Sequence, residues 1–162
     1  MTESKFGTSG PITEEGPTPY GEFQYAKLLE YLHVTKKVFE SADANKKRMA
    51  VFEKLNKIVR EWASSVGKLK NVPEDVYSEG GGVFLKIFGS TRLGVQSPES
   101  DLDVLMIAPS FVTRQDFFSS FCALLRTMPE IELVADLPDS YTPVVKLEFD
   151  GQAIDRRKCD AE

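Results

Sequence analysis

Asp101 and Asp103 flank Leu102 at the entrance to an apolar run, Val104 to Ala108. Residues at i and i+2 of a strand point to the same face. The spacing therefore predicts two carboxylates side by side, with Leu102 turned toward the core. Neighbouring like charges repel, and a divalent cation relieves that repulsion. Oxygen-only ligands favour hard ions such as Mg²⁺ or Mn²⁺, which keep several waters and bind substrate phosphates as well. A third acid comes from further along. Asp150-Gly151 is the strongest two-residue hairpin signal in the chain. A two-residue turn there pairs Phe149 with Gln152, Glu148 with Ala153, Leu147 with Ile154 and Lys146 with Asp155. Asp155 and Lys146 then share a polar face whose reverse side, Leu147 and Ile154, is buried; a one-residue slip would lose this. Gly89-Ser90 closes another apolar run, VFLKIF. A glycine after a strand lets backbone approach a phosphate closely. A short helix starting at Ser90 would offer free amides and its dipole to an anion, and Gly94 would end it.

These residues need elements to hold them. Met1 to Tyr20, with Gly7, Gly10, Gly16, Pro11, Pro17 and Pro19, reads as an extended arm. A first helix is expected from Glu22 to Phe39, with Tyr25, Leu28, Leu29 and Leu32 on one stripe. A longer one is expected from Asn45 to Leu69, where Met49, Phe52, Leu55, Val59, Trp62 and Val66 step by three and four. Gly80-Gly81-Gly82 breaks the chain before the VFLKIF strand, one face of which Lys86 interrupts. Asp103 to Ala108 is a second strand, closed by Pro109. Thr113 and Asp116 form a helix start of the capping-box kind, continued through Phe117, Phe121, Leu124 and Leu125. Ile131 to Ala135, Val144 to Phe149 and Gln152 to Asp155 complete the strands. There are no internal repeats and no low-complexity tract.

The composition sets bounds. The chain has 162 residues, 41% of them apolar and 28% charged, which suits one soluble globular domain. A net charge of -5 does not mark a nucleic-acid binder, although a local basic groove remains compatible with it. No apolar run approaches the ~18–20 residues of a membrane helix, and the first residues lack a signal-peptide run. Cys122, inside an apolar helical pattern, reads as a small core residue, and Cys159 is the only other cysteine. The expectation is an intracellular, reducing compartment and no membrane partner.

Taken singly, D-x-D is common on exposed strand edges and Gly-Ser is a turn. The order is more specific: apolar strand, Gly-Ser, short spacer, D-x-D entering a strand, helix, then a strand ending in Asp. That order is the one the nucleotidyltransferase superfamily shows. "GGVFLKIFGSTRLGVQSPESDLDVLMIAP", "VTRQDFF" and "PVVKLEFDGQAID" resemble the catalytic domain of the eukaryotic nuclear poly(A) polymerase family, and "FGTSGPI" and the second helix look like it too. The resemblance runs roughly from Lys5 to Asp155.

The resemblance implies an α/β (α+β) nucleotidyltransferase fold, a mixed sheet with N-terminal helices packed on it. It implies that Asp101, Asp103 and Asp155 are catalytic and bind two metal ions, Mg²⁺ or Mn²⁺. Phe88, Gly89 and Ser90 match the segment that meets ATP and its phosphates. Ser97 falls near the nucleotide, Lys146 matches a basic residue of the active-site strand, and both are counted with Leu102 and the three acids among the nucleotide-binding residues. The implied reaction transfers AMP from ATP to an RNA 3′-hydroxyl, in the nucleus, with mRNA 3′-processing factors as partners. The implied organisation is an arm over 1–20, a catalytic domain over 21–155, and a divergent tail over 156–162 where the family continues into central and RNA-binding domains. The ending RRKCDAE is therefore expected to be a truncated or alternatively spliced product or a mispredicted gene end, weakly active or inactive. The competing expectations are a non-catalytic fragment of the same fold serving as a binding module, and a related enzyme adding another nucleotide. His33 reads as a surface or core residue rather than a ligand, and Trp62 as core. Lys46-Lys47-Arg48 reads as a solvated face, and Arg156-Arg157-Lys158 as a basic run within reach of RNA but more simply solvated.

Overall fold

A computed structural model describes residues 10–77, 82–138 and 144–160, with side chains left undescribed at 133, 134 and 156–160. The start of the expected arm, Gly80 and Gly81, and the side chains of Arg156, Arg157, Lys158 and Cys159 lie outside the described residues. The chain forms two compact units, Met1–Val38 and Phe39–Glu162.

In the first unit, exposed chain leads to helix α1, Pro19–Glu30. Thr18 caps it by accepting from the Gly21 amide at 3.1 Å, and Pro19 at its first position has no amide to leave unpaired. A π-type turn, Tyr31–Thr35, extends it, with the Lys36 amide donating to the Tyr31 carbonyl. The helix thus starts and ends earlier than expected, because Thr18-Pro19 is a stronger start signal than Glu22. No residue of α1 is buried, and Tyr25 and Leu28 of the expected stripe are exposed.

The second unit carries the core. Helix α2, Ala42–Leu69, begins at Ser41, whose side chain accepts from the Ala44 amide. Its buried side is Arg48, Val51, Leu55, Val59, Trp62, Ala63, Val66 and Gly67. Met49 and Phe52 flank that stripe, partly buried. The expected apolar face is thus rotated, and an arginine stands on it. A one-turn helix α3, Glu74–Tyr77, follows. Five strands then form one sheet: β1 Phe84–Ile87, β2 Leu102–Ala108, β3 Ile131–Leu137, β4 Val144–Phe149 and β5 Gln152–Asp160. Their order is β1-β2-β5-β4-β3, with β2 and β5 parallel and the other pairs antiparallel.

One face of the sheet is packed. Leu85, Leu102, Val104, Met106, Ala108, Val145, Leu147, Phe149 and Ile154 belong to one core cluster with α2 and with Phe117, Phe121, Cys122 and Leu125. Those last four come from one helical run built of α5 (Arg114–Asp116), a π-type turn (Phe117–Phe121) and α6 (Cys122–Arg126). Its start is the expected capping box: Thr113 accepts from the Asp116 amide, and Asp116 accepts from that of Thr113. Trp62 is core, its ring centroid 4.8 Å from that of Phe121 and its indole N–H donating to Ser120. Cys122 is wholly buried. The strand after the hairpin runs on to Asp160 beside β2, beyond the expected end at Asp155. Parallel pairing with β2 supplies the backbone partners that the side-chain pattern after Asp155 does not advertise.

Candidate active site

The sheet's other face gathers the predicted polar residues. β2 alternates strictly between buried and partly exposed positions from Leu102 to Ala108. Asp101 and Asp103 lie on the partly exposed side, while Leu102 is wholly buried and can offer that face only its backbone. Asp103 pairs in register with Asp155 on β5, and Asp155 with Lys146 on β4. Asp103, Asp155 and Lys146 therefore form one transverse row, and Asp101 stands two residues along from its end. The hairpin makes this possible. Asp150 and Gly151 have φ of 49° and 75°, the mirror-image turn that matches strand twist, and every pair from Phe149–Gln152 to Lys146–Asp155 is as expected.

The Lys146 ammonium donates to Asp155 Oδ2 at 2.8 Å. That hydrogen bond and the Asp155 charge, with added pull from Asp101 and Asp103 against slight burial, hold Lys146 above the usual lysine range. The three acids thus act on one cation. Among the described residues, no group of three or more His, Cys, Asp or Glu is gathered closely enough to hold a metal ion. The donor set nonetheless fits a hard divalent cation in kind: carboxylates only, on one face, with no sulfur or imidazole among them.

Gly89 closes the row at β1. Helix α4, Gly89–Leu93, starts one residue before Ser90 and ends at Gly94, φ 73°. Gly89 has φ 63°, and a Cβ there would collide with the Asp103 carboxylate. Only glycine lets the Gly-Ser turn sit against that acid. The Phe88 amide donates to the Asp103 carbonyl at 3.1 Å, tying the turn to β2. Phe88, Gly89 and Ser90 are all partly exposed there.

Ser97 is not on the strand face. It sits in the crossing from α4 to β2, its amide donating to Ser100 Oγ at 2.9 Å and its hydroxyl 3.1 Å from the same atom. That crossing is held by a residue read as solvated. Arg48 is buried, with Nε and Nη2 on Glu40 Oε1 and Nη1 on the Ser100 carbonyl. Arg48, Glu40 and Gln152, whose amide also donates to the Ser100 carbonyl, are the residues missed from the sequence. The available signal was spacing: Arg48 precedes Val51 and Leu55 by three and seven, on the buried stripe. Lys47, by contrast, is exposed as expected.

Solved structures share this architecture. A MgGTP-bound crystal structure of the Cid1 poly(U) polymerase matches with a TM-score of 0.59 at 17% identity, over 86% of this chain and 38% of that one. The structure of the GLD-2/RNP-8 complex matches at 0.58 and 12% identity, over 85% and 39%. At such identities the likeness speaks for the fold, which is of the nucleotidyltransferase class. Sequence goes further. Residues 7–156 match the family described as the poly(A) polymerase nucleotidyltransferase domain, and this chain belongs to it. Poly(A) polymerase PAPalpha of Candida albicans is 41% identical over 155 residues, which is 96% of this chain and 27% of that protein. Poly(A) polymerase of Dictyostelium discoideum is 38% identical over 151 residues, 92% of this chain and 18% of that protein. The chain thus spans about a quarter or less of these relatives. No described helix is long and apolar enough to cross a membrane.

Proposed function

We propose that this domain transfers AMP from ATP to an RNA 3′-hydroxyl, releasing pyrophosphate. The observation that carries the reading is the row Asp103–Asp155–Lys146, with Asp101 on the same face and Gly89 against Asp103. Asp101, Asp103 and Asp155 would hold the divalent ions, Mg²⁺ or Mn²⁺. When bound, such ions supply the positive charge that activates the 3′-oxygen and clamps the triphosphate. Gly89, which lies against Asp103, and Ser90, the next residue, would offer backbone and hydroxyl donors to the phosphates. Phe88 and the Leu102 backbone flank them, and Ser97 shapes the edge nearest the nucleotide. Lys146 orients Asp155 and adds a positive charge toward the phosphates. Alignment and charge stabilisation do most of the work in such a transfer. Family membership supports a nuclear place in mRNA 3′-end formation, beside 3′-processing factors.

A second reading, a non-catalytic module of the same fold, is favoured by one observation: Lys146 donates to Asp155 at 2.8 Å, so that acid already has a cationic partner. Two measurements separate the readings. Calorimetry of Mn²⁺-ATP binding should show weaker affinity in Asp101→Ala, which removes a ligand oxygen. Equal affinity in both proteins would remove the metal assignment. Incubation with an RNA primer, Mn²⁺ and each labelled nucleotide should then extend the primer with ATP in preference to the others. Binding without extension, from the chain alone and from the chain joined to the remainder of the Candida albicans relative, would select the module.

A further inference from the structure

We propose that Arg48 is a positioning residue for Asp101, and that the buried Arg48–Glu40 pair fixes the direction in which the first acid of the site points. The inference rests on the reading of Asp101 as a metal-holding carboxylate.

The pair is sealed from water, with side chains 0% and 5% exposed. Two guanidinium nitrogens hold one Glu40 oxygen at 3.0 and 2.7 Å. The third reaches the Ser100 carbonyl at 2.6 Å, and Nη2 also lies 3.4 Å from the Ser97 carbonyl. Gln96 donates to the other Glu40 oxygen at 3.1 Å. The crossing that leads into Asp101 is therefore tied at Gln96, Ser97 and Ser100 to one ion pair at the start of α2. The last tie matters most. The Ser100 carbonyl and the Asp101 amide share one rigid peptide plane. Holding that oxygen fixes the plane from which the Asp101 side chain departs. Gln152 Nε2 approaches the same oxygen at 3.3 Å from β5, three residues before Asp155, so one carbonyl links the strands that carry the acids.

A fold seeking stability alone has little reason to bury this pair. Taking two charges from water costs free energy that apolar residues of similar volume avoid. What apolar residues lack is direction. The planar fork of arginine serves Glu40 and two carbonyls at once, which the single ammonium of lysine cannot do with the same geometry.

The test uses this chain, Mn²⁺ as probe, and amide hydrogen exchange beside binding. Four variants are compared with the parent: Arg48→Lys, the volume-matched double Arg48→Met with Glu40→Leu, Asp101→Ala, and Asp101→Ala combined with Arg48→Lys. The double variant should stay folded, with a melting temperature near the parent's, because it leaves no buried charge unpaired. Both Arg48 variants should weaken Mn²⁺ binding about 10- to 100-fold and speed exchange at the Asp101 amide. Adding Arg48→Lys to Asp101→Ala should bring no further loss, because Arg48 acts through Asp101. A folded Arg48 variant with parental Mn²⁺ affinity, while Asp101→Ala binds weakly, overturns the positioning role alone. Parental affinity in Asp101→Ala overturns the metal reading and this role with it. Failure of the double variant to fold would show the pair to be purely structural, and also overturns it.

Discussion

Two connections deliver acids to the open face of the sheet, and they are held by opposite means. The Asp150-Gly151 turn that leads to Asp155 is held by its own backbone, two consecutive residues at positive φ. Outside the turn, the Asp150 amide donates to the Glu130 carbonyl at 3.1 Å, and Lys54 meets the Asp150 carboxylate at 2.6 Å in a largely exposed ion pair of the kind that contributes little. The crossing that leads to Asp101 has no regular structure between Gly94 and Leu102, and is held by Arg48 from 52 residues away in sequence. A tight turn needs no help because its register is a local property. An irregular crossing has no ladder or helix of its own, and beyond a local turn from Ser97 to Ser100 its inward carbonyls take donors brought from elsewhere, here the Arg48 guanidinium and the Gln152 amide. Asp155 should therefore withstand changes around it, whereas Asp101 should depend on a distant residue.

The largest effect should come from breaking the distant tie. Arg48→Ala leaves Glu40 buried without its partner and should cost about 3–5 kcal/mol of stability in urea unfolding. A loss below about 1 kcal/mol would show that the crossing holds itself and that the two connections do not differ.

The glycines at the two ends of α4, Gly89 within it and Gly94 capping it, sharpen the contrast next. Both have positive φ, 63° at Gly89 and 73° at Gly94, but a Cβ at Gly94 meets nothing within 4 Å. Gly94→Ala should cost only the left-handed backbone penalty, about 1–2 kcal/mol. Gly89→Ala should cost more and also lower Mn²⁺ affinity, because it displaces the Asp103 carboxylate. Equal losses in stability and unchanged Mn²⁺ affinity would mean that the turn does not need to touch that acid.

At the hairpin, Gly151→Ala should cost about 1–2 kcal/mol and leave Mn²⁺ affinity unchanged. Asp150→Asn should stay within about 0.5 kcal/mol, since asparagine also accepts positive φ and the ion pair is exposed. A register shift detected by cross-strand NOEs in either variant would show that side chains, rather than turn geometry, hold β4 and β5 together.

The smallest effects are those of pH. Asp155 raises Lys146, so this pair stabilises fully below the unfolded lysine pKa of about 10.4 and its contribution fades as pH rises through the folded value. Lys146→Met should lower stability slightly at neutral pH, where the contribution is full, and flatten the alkaline end of the curve, where it is already fading. Asp116 runs the other way. Burial works to raise its carboxyl, but hydrogen bonds from Lys70 and Thr113 and the Lys70 charge prevail and hold it below the usual range. Its contribution is present above about pH 4 and is lost as pH falls through the folded value. Asp116→Asn should flatten the acid end in a pH series of thermal melts. A parental curve from either variant would remove that ion pair from the account.

Much of this was legible from residue types and spacing because it depends on neighbours in the chain. Asp-Gly dictates a mirror-image turn, and that turn alone carries the register that sets Asp155 beside Lys146. Alternation through Leu102, Val104 and Met106 dictates which face of β2 is buried, and therefore that Asp101 and Asp103 share the other. Thr113 and Asp116 dictate a helix start through hydrogen bonds within three residues. Other features are invisible at that range. The parallel pairing of β2 with β5, which sets Asp103 opposite Asp155 and carries β5 on to Asp160, joins segments about fifty residues apart. The burial of Arg48 was hidden by its lysine neighbours, because composition cannot say that one member of a basic run turns inward. Only the packing of α2 beside the crossing places carbonyls and a carboxylate where a guanidinium can be satisfied out of water. Local turn and cap geometry is encoded by a few adjacent dihedral preferences, whereas the partner of a buried charge is decided by which distant segments the core brings together.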